Sequence, residues 1–101
     1  MTERPQALTA EQIDAGLAEL PQWSGDGTGI ARIVEAPSFL AGIELVRQVA
    51  IVAEEMNHHP DIDVRWRKVR FSLVTHDAGG VSELDMQQAR RIDSLAAELQ
   101  P

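Results

Sequence analysis

The sequence has no cysteine, no long apolar run and an excess of acidic over basic residues. Without cysteine, a disulfide framework, a thiol nucleophile and a thiolate metal site are excluded. No stretch approaches the roughly 20 apolar residues needed to cross a bilayer, and no apolar signal run follows the polar start at residues 1–5. The formal net charge of -7 argues against non-specific binding to nucleic acid or an anionic membrane, because both need a broad positive surface. We therefore expect a soluble cytoplasmic protein.

Length and composition favour one compact domain. The 101 residues are 44% hydrophobic, which is enough for a single core, although a domain of this size is only modestly stabilised by itself. Self-association would therefore help. We predict a disordered lead over residues 1–7 and a single domain over residues 8–101.

Capping signals and periodic apolar residues predict three helices. Thr9 and Gln12 have the spacing of a capping box at the start of the first helix. Ser38 is the expected N-cap of the longest helix, and Asn57 can end it in the left-handed conformation. Ser82 is the expected N-cap of the last helix.

The segments between these helices have the two-residue periodicity of strands. The Gly-rich segment 24–29 predicts a turn before a strand at Ile30 to Val34. Between Asp61 and His76 the apolar parity flips near residues 65–68, which a straight strand cannot do, so a hairpin turn or bulge is predicted there. The resulting order α-β-β-α-β-β-α predicts an α+β domain with helices on one face of a mainly antiparallel sheet.

All three histidines lie between positions 58 and 76, which makes this region the expected seat of chemistry. Imidazole has an unperturbed pKa of about 6.5, so acid and base forms are both available near neutral pH. We expect His58 and His59 on the frayed end of the longest helix, not locked into the core. On the predicted second hairpin strand, His76 should point away from the core face.

Each of these residues also has an ordinary structural explanation. Glu54 precedes His58 by four residues, so it either orients that imidazole or forms a common exposed pair at a helix end. Asp85 fits a helix N3 position that reaches back to Ser82. A zinc site is an alternative for three histidines, but their spacing matches no recognised zinc pattern.

The combined order and spacing of these residues resembles the pterin-4a-carbinolamine dehydratase family over essentially the whole domain. The motifs that carry the resemblance are Glu54-x-x-x-His58-His59-Pro60, an aromatic residue at Trp66, Thr75-His76, and Gly79-Gly80-x-Ser82-Glu83-x-Asp85. The resemblance implies a four-stranded antiparallel sheet with three helices and a homodimer or homotetramer. Trp66 stands where the family frequently has Tyr.

The resemblance also implies a reaction, the dehydration of a 4a-hydroxytetrahydropterin to a quinonoid dihydropterin in tetrahydrobiopterin recycling. It implies acid/base catalysis and pterin binding by His58, His59 and His76, with no metal or organic cofactor. Supporting or substrate-binding positions are implied at Glu54, Asn57, Pro60, Trp66 and Asp85. A non-catalytic role as a partner-binding module is the alternative. The resemblance extends to relatives that act as dimerisation cofactors of a transcription factor, and to degenerate ones that resemble assembly chaperones of a carbon-fixing enzyme.

Overall fold

The computed structural model describes residues 5–99. It contains three helices and four strands in the predicted order, which confirms the α+β expectation. In chain order they are α1 (Ala10–Ala18), β1 (Ser24–Asp26), β2 (Gly29–Glu35), α2 (Phe39–Met56), β3 (Asp61–Arg65), β4 (Lys68–Leu73) and α3 (Glu83–Leu99). Of the expected disordered lead, the first four residues lie outside the described part of the chain.

The four strands form one antiparallel sheet in the order β1-β2-β4-β3. Ile30 pairs with Leu73 and Val34 with Val69, so these apolar side chains share one face. That face and the helices build the core, which comprises Ile13, Leu20, Trp23, Ile30, Val34, Leu45, Val49, Val69, Phe71, Leu73, Val81, Met86, Ala89, Ile92 and Ala96. The opposite face carries the charged partners Asp63 and Arg70.

The hairpin that the parity flip predicts is confirmed. Strand β3 ends at Arg65 and β4 begins at Lys68, so residues 66 and 67 form the turn. Trp66 lies in the left-handed region at φ 54°, where a bulky residue is uncommon. The turn changes which parity faces the core, as the sequence requires.

Helix ends follow the predicted capping residues. The Thr9 side chain accepts a hydrogen bond from the Gln12 backbone, and the Gln12 side chain accepts one from the Thr9 backbone. The Ser38 hydroxyl accepts from the Ala41 N–H. Asn57 ends α2 in the left-handed conformation at φ 49°, ψ 44°. This last cap matters most, because it redirects the chain immediately before the histidines.

The Gly-rich segment differs from its prediction as a turn alone. Ser24–Asp26 forms strand β1, and only residues 27 and 28 form the turn. Gly25 has φ 147°, and a Cβ there would lie 2.1 Å from the Gly29 carbonyl oxygen. Glycine residues that predict a turn can therefore also permit close pairing of two backbones.

Trp23 is a core residue. Its side chain is buried, and its indole Nε1 donates a hydrogen bond of 2.7 Å to Asp93 Oδ1 on α3. Arg32, on the core face of β2, also pairs with this carboxylate. The described residues include no helix that is both long enough and apolar enough to span a membrane.

Candidate active site

All three histidines line one cavity of about 860 Å³. That volume is within the usual range of small-molecule sites, about 300–1,000 Å³. Its walls come from the N-terminal segment, the end of α2, the segment after β4 and the first turns of α3. They comprise Pro5, Gln6, Met56, Asn57, His58, His59, Val74, Thr75, His76, Asp77, Ser82, Glu83, Leu84 and Gln87.

His58 is locked in place, contrary to the expectation of a free side chain on a frayed helix end. After the left-handed cap at Asn57, the His58 N–H donates to the Ala53 carbonyl oxygen at 3.0 Å. Its ring Nε2 lies 2.6 Å from Asp85 Oδ1 on α3. The His58 side chain is only 10% exposed and that of Asp85 is fully buried. The cap thus turns this histidine inward rather than releasing it.

Asp85 makes the helix-capping contact that its sequence position predicts, and it also contacts His58. Its Oδ2 accepts from the Ser82 backbone N–H at 2.9 Å, the expected helix-capping contact. The same oxygen accepts from Thr75 Oγ1 at 2.8 Å, while Ser82 Oγ lies 2.6 Å from Thr75 Oγ1. Because these contacts satisfy Oδ2, the other oxygen is left for His58. A buried carboxylate with this many partners is held in one orientation.

His59 has its own carboxylate partner on the outside of the cavity. Its ring Nε2 lies 2.6 Å from Glu54 Oε2, and the two side chains are 58% and 77% exposed. Glu54 therefore contacts His59 rather than His58, which corrects the pairing suggested by the four-residue spacing. The reason is that α2 ends at Met56, so helical spacing does not extend to position 58.

His76 is exposed and begins a short 3₁₀ turn over His76–Ala78. It does not lie on β4, because that strand ends at Leu73. The expected direction away from the core is nevertheless consistent with its exposure. Within residues 5–99 the His76 ring has no hydrogen-bond partner. It is thus the histidine whose two ring nitrogens are both unoccupied by the described chain.

The remaining predicted site residues divide by position. Asn57 lines the cavity, whereas Pro60 is next to it in sequence but not among the lining residues. Trp66 lies on the β3–β4 turn with 89% of its surface exposed. The structure therefore does not bring Trp66 to this cavity.

Several contributors to the site carry no clear signal in their own residue type. Pro5 and Gln6 line the cavity although they fall in the expected disordered lead. Thr75 lies in the sequence motif, but its contact with Asp85 depends on how α3 packs against the end of β4. Gln88 is fully buried and contacts the His58 backbone, although glutamine in a helix usually indicates a solvent-facing position.

In the described part of the chain, no cluster of His, Asp or Glu is arranged to hold a metal ion.

Fold and cavity together define a small α+β protein with an imidazole-lined pocket. The sequence profile described as Pterin 4 alpha carbinolamine dehydratase matches residues 6–95, and the chain belongs to that family. It is 52% identical over 88 residues to a Mycobacterium tuberculosis protein named "Putative pterin-4-alpha-carbinolamine dehydratase", covering 87% of this chain and 94% of that one. An identically named Mycolicibacterium smegmatis protein is 50% identical over 91 residues, covering 90% and 97%.

Two solved structures share this fold. A transcriptional coactivator/pterin dehydratase from Brucella melitensis superposes with a TM-score of 0.86 at 29% identity, over 90% of this chain and 99% of that chain. A pterin dehydratase-like protein identified as a RuBisCO assembly factor in the alpha-carboxysome gives a TM-score of 0.61 at 24% identity, over 73% and 86%. The second similarity supports the fold alone.

Proposed function

We propose that this protein dehydrates a 4a-hydroxytetrahydropterin by histidine acid/base catalysis, in the recycling of tetrahydrobiopterin. The observation that carries the proposal is the convergence of three imidazoles on one cavity of small-molecule size, one of them fixed by a buried carboxylate. In the reaction the 4a-hydroxyl gains a proton and leaves as water, N5 loses its proton, and a C4a=N5 double bond forms. One proton is taken up and one is released, so an acid and a base suffice.

His58 is the base in this proposal. A carboxylate only accepts hydrogen bonds, so with Asp85 ionised the proton of the short contact belongs to His58 Nε2. The lone pair is then on Nδ1, the nitrogen that Asp85 does not contact. Fixing the tautomer in this way would keep Nδ1 available to take the proton from N5.

His76 is the acid. Its exposed ring can take up a proton from solvent and deliver it to the departing hydroxyl. A group that must exchange its proton with water at each turnover benefits from an exposed position, whereas a buried, paired imidazole would exchange slowly. Positioned acid/base groups typically contribute about 10²- to 10⁴-fold each.

His59 binds and positions the pterin, and Glu54 holds the His59 ring through their 2.6 Å contact. Asn57 supplies an amide to the same cavity, and Pro60 ends the histidine segment before β3. Trp66 receives no role here because it lies away from the cavity.

The test is to mix the purified protein with freshly generated 4a-hydroxytetrahydropterin and follow quinonoid dihydropterin by absorbance. The rate should exceed that of buffer alone, and a double variant carrying His58→Gln and His76→Ala should lose the excess. A rate for the wild-type protein equal to the uncatalysed rate would end the proposal.

A non-catalytic role as a partner-binding or assembly module is the second candidate. It is favoured by apolar residues exposed on α2, namely Phe39 (53%), Leu40 (78%), Ile43 (39%) and Ile51 (48%), since exposed apolar patches often mark interaction surfaces.

Self-association would also cover this face, and a homodimer or homotetramer in the cytoplasm stays our prediction. Sedimentation of the Leu40→Glu variant and of the wild-type protein tests whether this face of α2 mediates self-association. An unchanged molar mass would show that it does not.

A further inference from the structure

Gln88 is a buried polar residue on the side of α3 that packs into the protein. Its position on α3 has no exposed surface, like those of its neighbours Ala89 and Ile92. Its amide Nε2 donates a 2.7 Å hydrogen bond to the carbonyl oxygen of His58. Its amide Oε1 is buried and has no partner within residues 5–99.

The amide of Gln88 has one buried oxygen without a partner among residues 5–99, which costs free energy. An apolar side chain of similar length would remove that cost but would leave the His58 carbonyl oxygen without its donor. The contact that the glutamine does make is directed at the backbone of a single residue, His58. Within residues 5–99, the hydrogen bond to the His58 carbonyl oxygen is thus the one that the buried amide makes.

Asp85 and Gln88 are three positions apart, so they lie on the same face of α3. Asp85 holds the His58 ring at Nε2, and Gln88 holds the His58 backbone at its carbonyl oxygen. The segment they hold follows a left-handed cap and precedes β3, and has no helical or strand hydrogen bonds of its own at this carbonyl. The His58 N–H is held by the Ala53 carbonyl oxygen, so the hydrogen bond from Gln88 fixes the other end of the residue. Without it, the carbonyl end could rotate and displace the ring.

We propose that Gln88 is a positioning residue that holds the His58 carbonyl while Asp85 holds the ring and Ala53 the backbone N–H, and so sets the position of the His58 ring at the cavity wall. The inference rests on the proposed function for its catalytic consequence. A base must lie within hydrogen-bond reach of the proton it removes, and a misplacement of about 1 Å can cost about 100-fold. Gln88 touches no cavity surface itself, so its loss should lower kcat more than it changes KM.

The experiment compares the wild-type protein with Gln88→Met, which keeps length and removes the amide. Gln88→Asn serves as a second variant that keeps the amide but withdraws it by one methylene. Gln48→Met is the matched control, because Gln48 is half-buried on α2 and lies outside the cavity. For each protein we would measure kcat, KM, the unfolding midpoint, and the ¹⁵N and ¹H signals of the His58 ring, assigned with His58→Gln.

We expect kcat to fall about tenfold in both Gln88 variants, with KM changed less than about twofold, on the magnitudes for positioned acid/base groups. The His58 ring signals should shift or broaden, and the Gln48→Met signals should match the wild type. A merely structural role would lower the unfolding midpoint without moving these signals at temperatures where the protein is folded. If Gln88→Met does not fold, Gln88→Asn provides the same comparison.

The outcomes separate the two proposals. Wild-type activity with unchanged kcat and unchanged His58 signals in the variants would overturn the positioning role of Gln88 and leave the dehydratase proposal standing. No wild-type activity would overturn the dehydratase proposal, while the His58 ring signals would still decide whether Gln88 positions that histidine. Shifted signals in the Gln88 variants alone support the positioning role in either case.

Discussion

Two histidines of the cavity each contact a carboxylate at the same distance, but one pair is buried and the other is exposed. His58 and Asp85 meet at 2.6 Å with side chains 10% and 0% exposed. His59 and Glu54 also meet at 2.6 Å, but their side chains are 58% and 77% exposed. Distance therefore does not distinguish these pairs, and burial does.

Burial changes what a pair can do. An exposed pair is screened by water and salt and typically contributes about 0.2–1 kcal/mol. A buried hydrogen-bonded pair has no water to replace a lost partner, so leaving one of its groups unpaired typically costs about 1–3 kcal/mol. The buried pair can thus fix one ring orientation and one tautomer, whereas the exposed pair only biases a mobile side chain.

The largest expected effect comes from breaking the buried pair with Asp85→Asn. One amide cannot replace both carboxylate oxygens, so either His58 or the Thr75 and Ser82 donors lose an acceptor. We expect kcat to fall at least about 100-fold and the free energy of unfolding to fall about 2 kcal/mol. Steady-state kinetics and urea unfolding measure both. Asp63→Asn, an exposed substitution of the same kind on the sheet, is the control and should change neither.

The next effect concerns His76, which has no carboxylate partner among residues 5–99. His76→Ala should lower kcat at least about tenfold. The free energy of unfolding should stay within about 0.5 kcal/mol of the wild type, because the residue is exposed. Turnover equal to that of the wild type would remove His76 from the acid role.

A smaller effect is expected from breaking the exposed pair with Glu54→Gln. Since this contact only orients a side chain that binds substrate, KM should rise by no more than about fivefold, equivalent to about 1 kcal/mol, and kcat should hardly change. A loss of kcat as large as that of Asp85→Asn would show that burial is not the deciding difference.

The smallest effect is expected at Trp66, outside both pairs. Trp66→Asn suits the left-handed backbone at this turn, so the free energy of unfolding should change by less than about 0.5 kcal/mol. KM and kcat measured with the pterin carbinolamine should stay within about twofold of the wild type. A KM increase of tenfold would instead return Trp66 to substrate binding, as the family resemblance implies.

Local sequence was sufficient for much of the fold because capping and turns depend on neighbouring residues. Thr9, Ser38 and Asn57 act within one helical turn of themselves, and the parity flip near Arg67 requires a turn in any sheet. The order of elements included a strand pair before α2, but the residues of β1 were assigned to a turn because three glycines in six residues resemble one. The existence of β1 depends on pairing with β2, which is not encoded in its own side chains.

The histidine cluster, the fold class and the family resemblance followed from the sequence by itself, because residue identity and spacing are what they consist of. Tertiary structure decided which carboxylate each histidine meets. Asp85 is 27 positions from His58 and Gln88 is 30 positions away, and only the packing of α3 beside the end of α2 brings them together. Helical spacing pointed to Glu54 as the partner of His58. The left-handed conformation of Asn57 instead directs the His58 side chain into the protein interior, where it contacts Asp85.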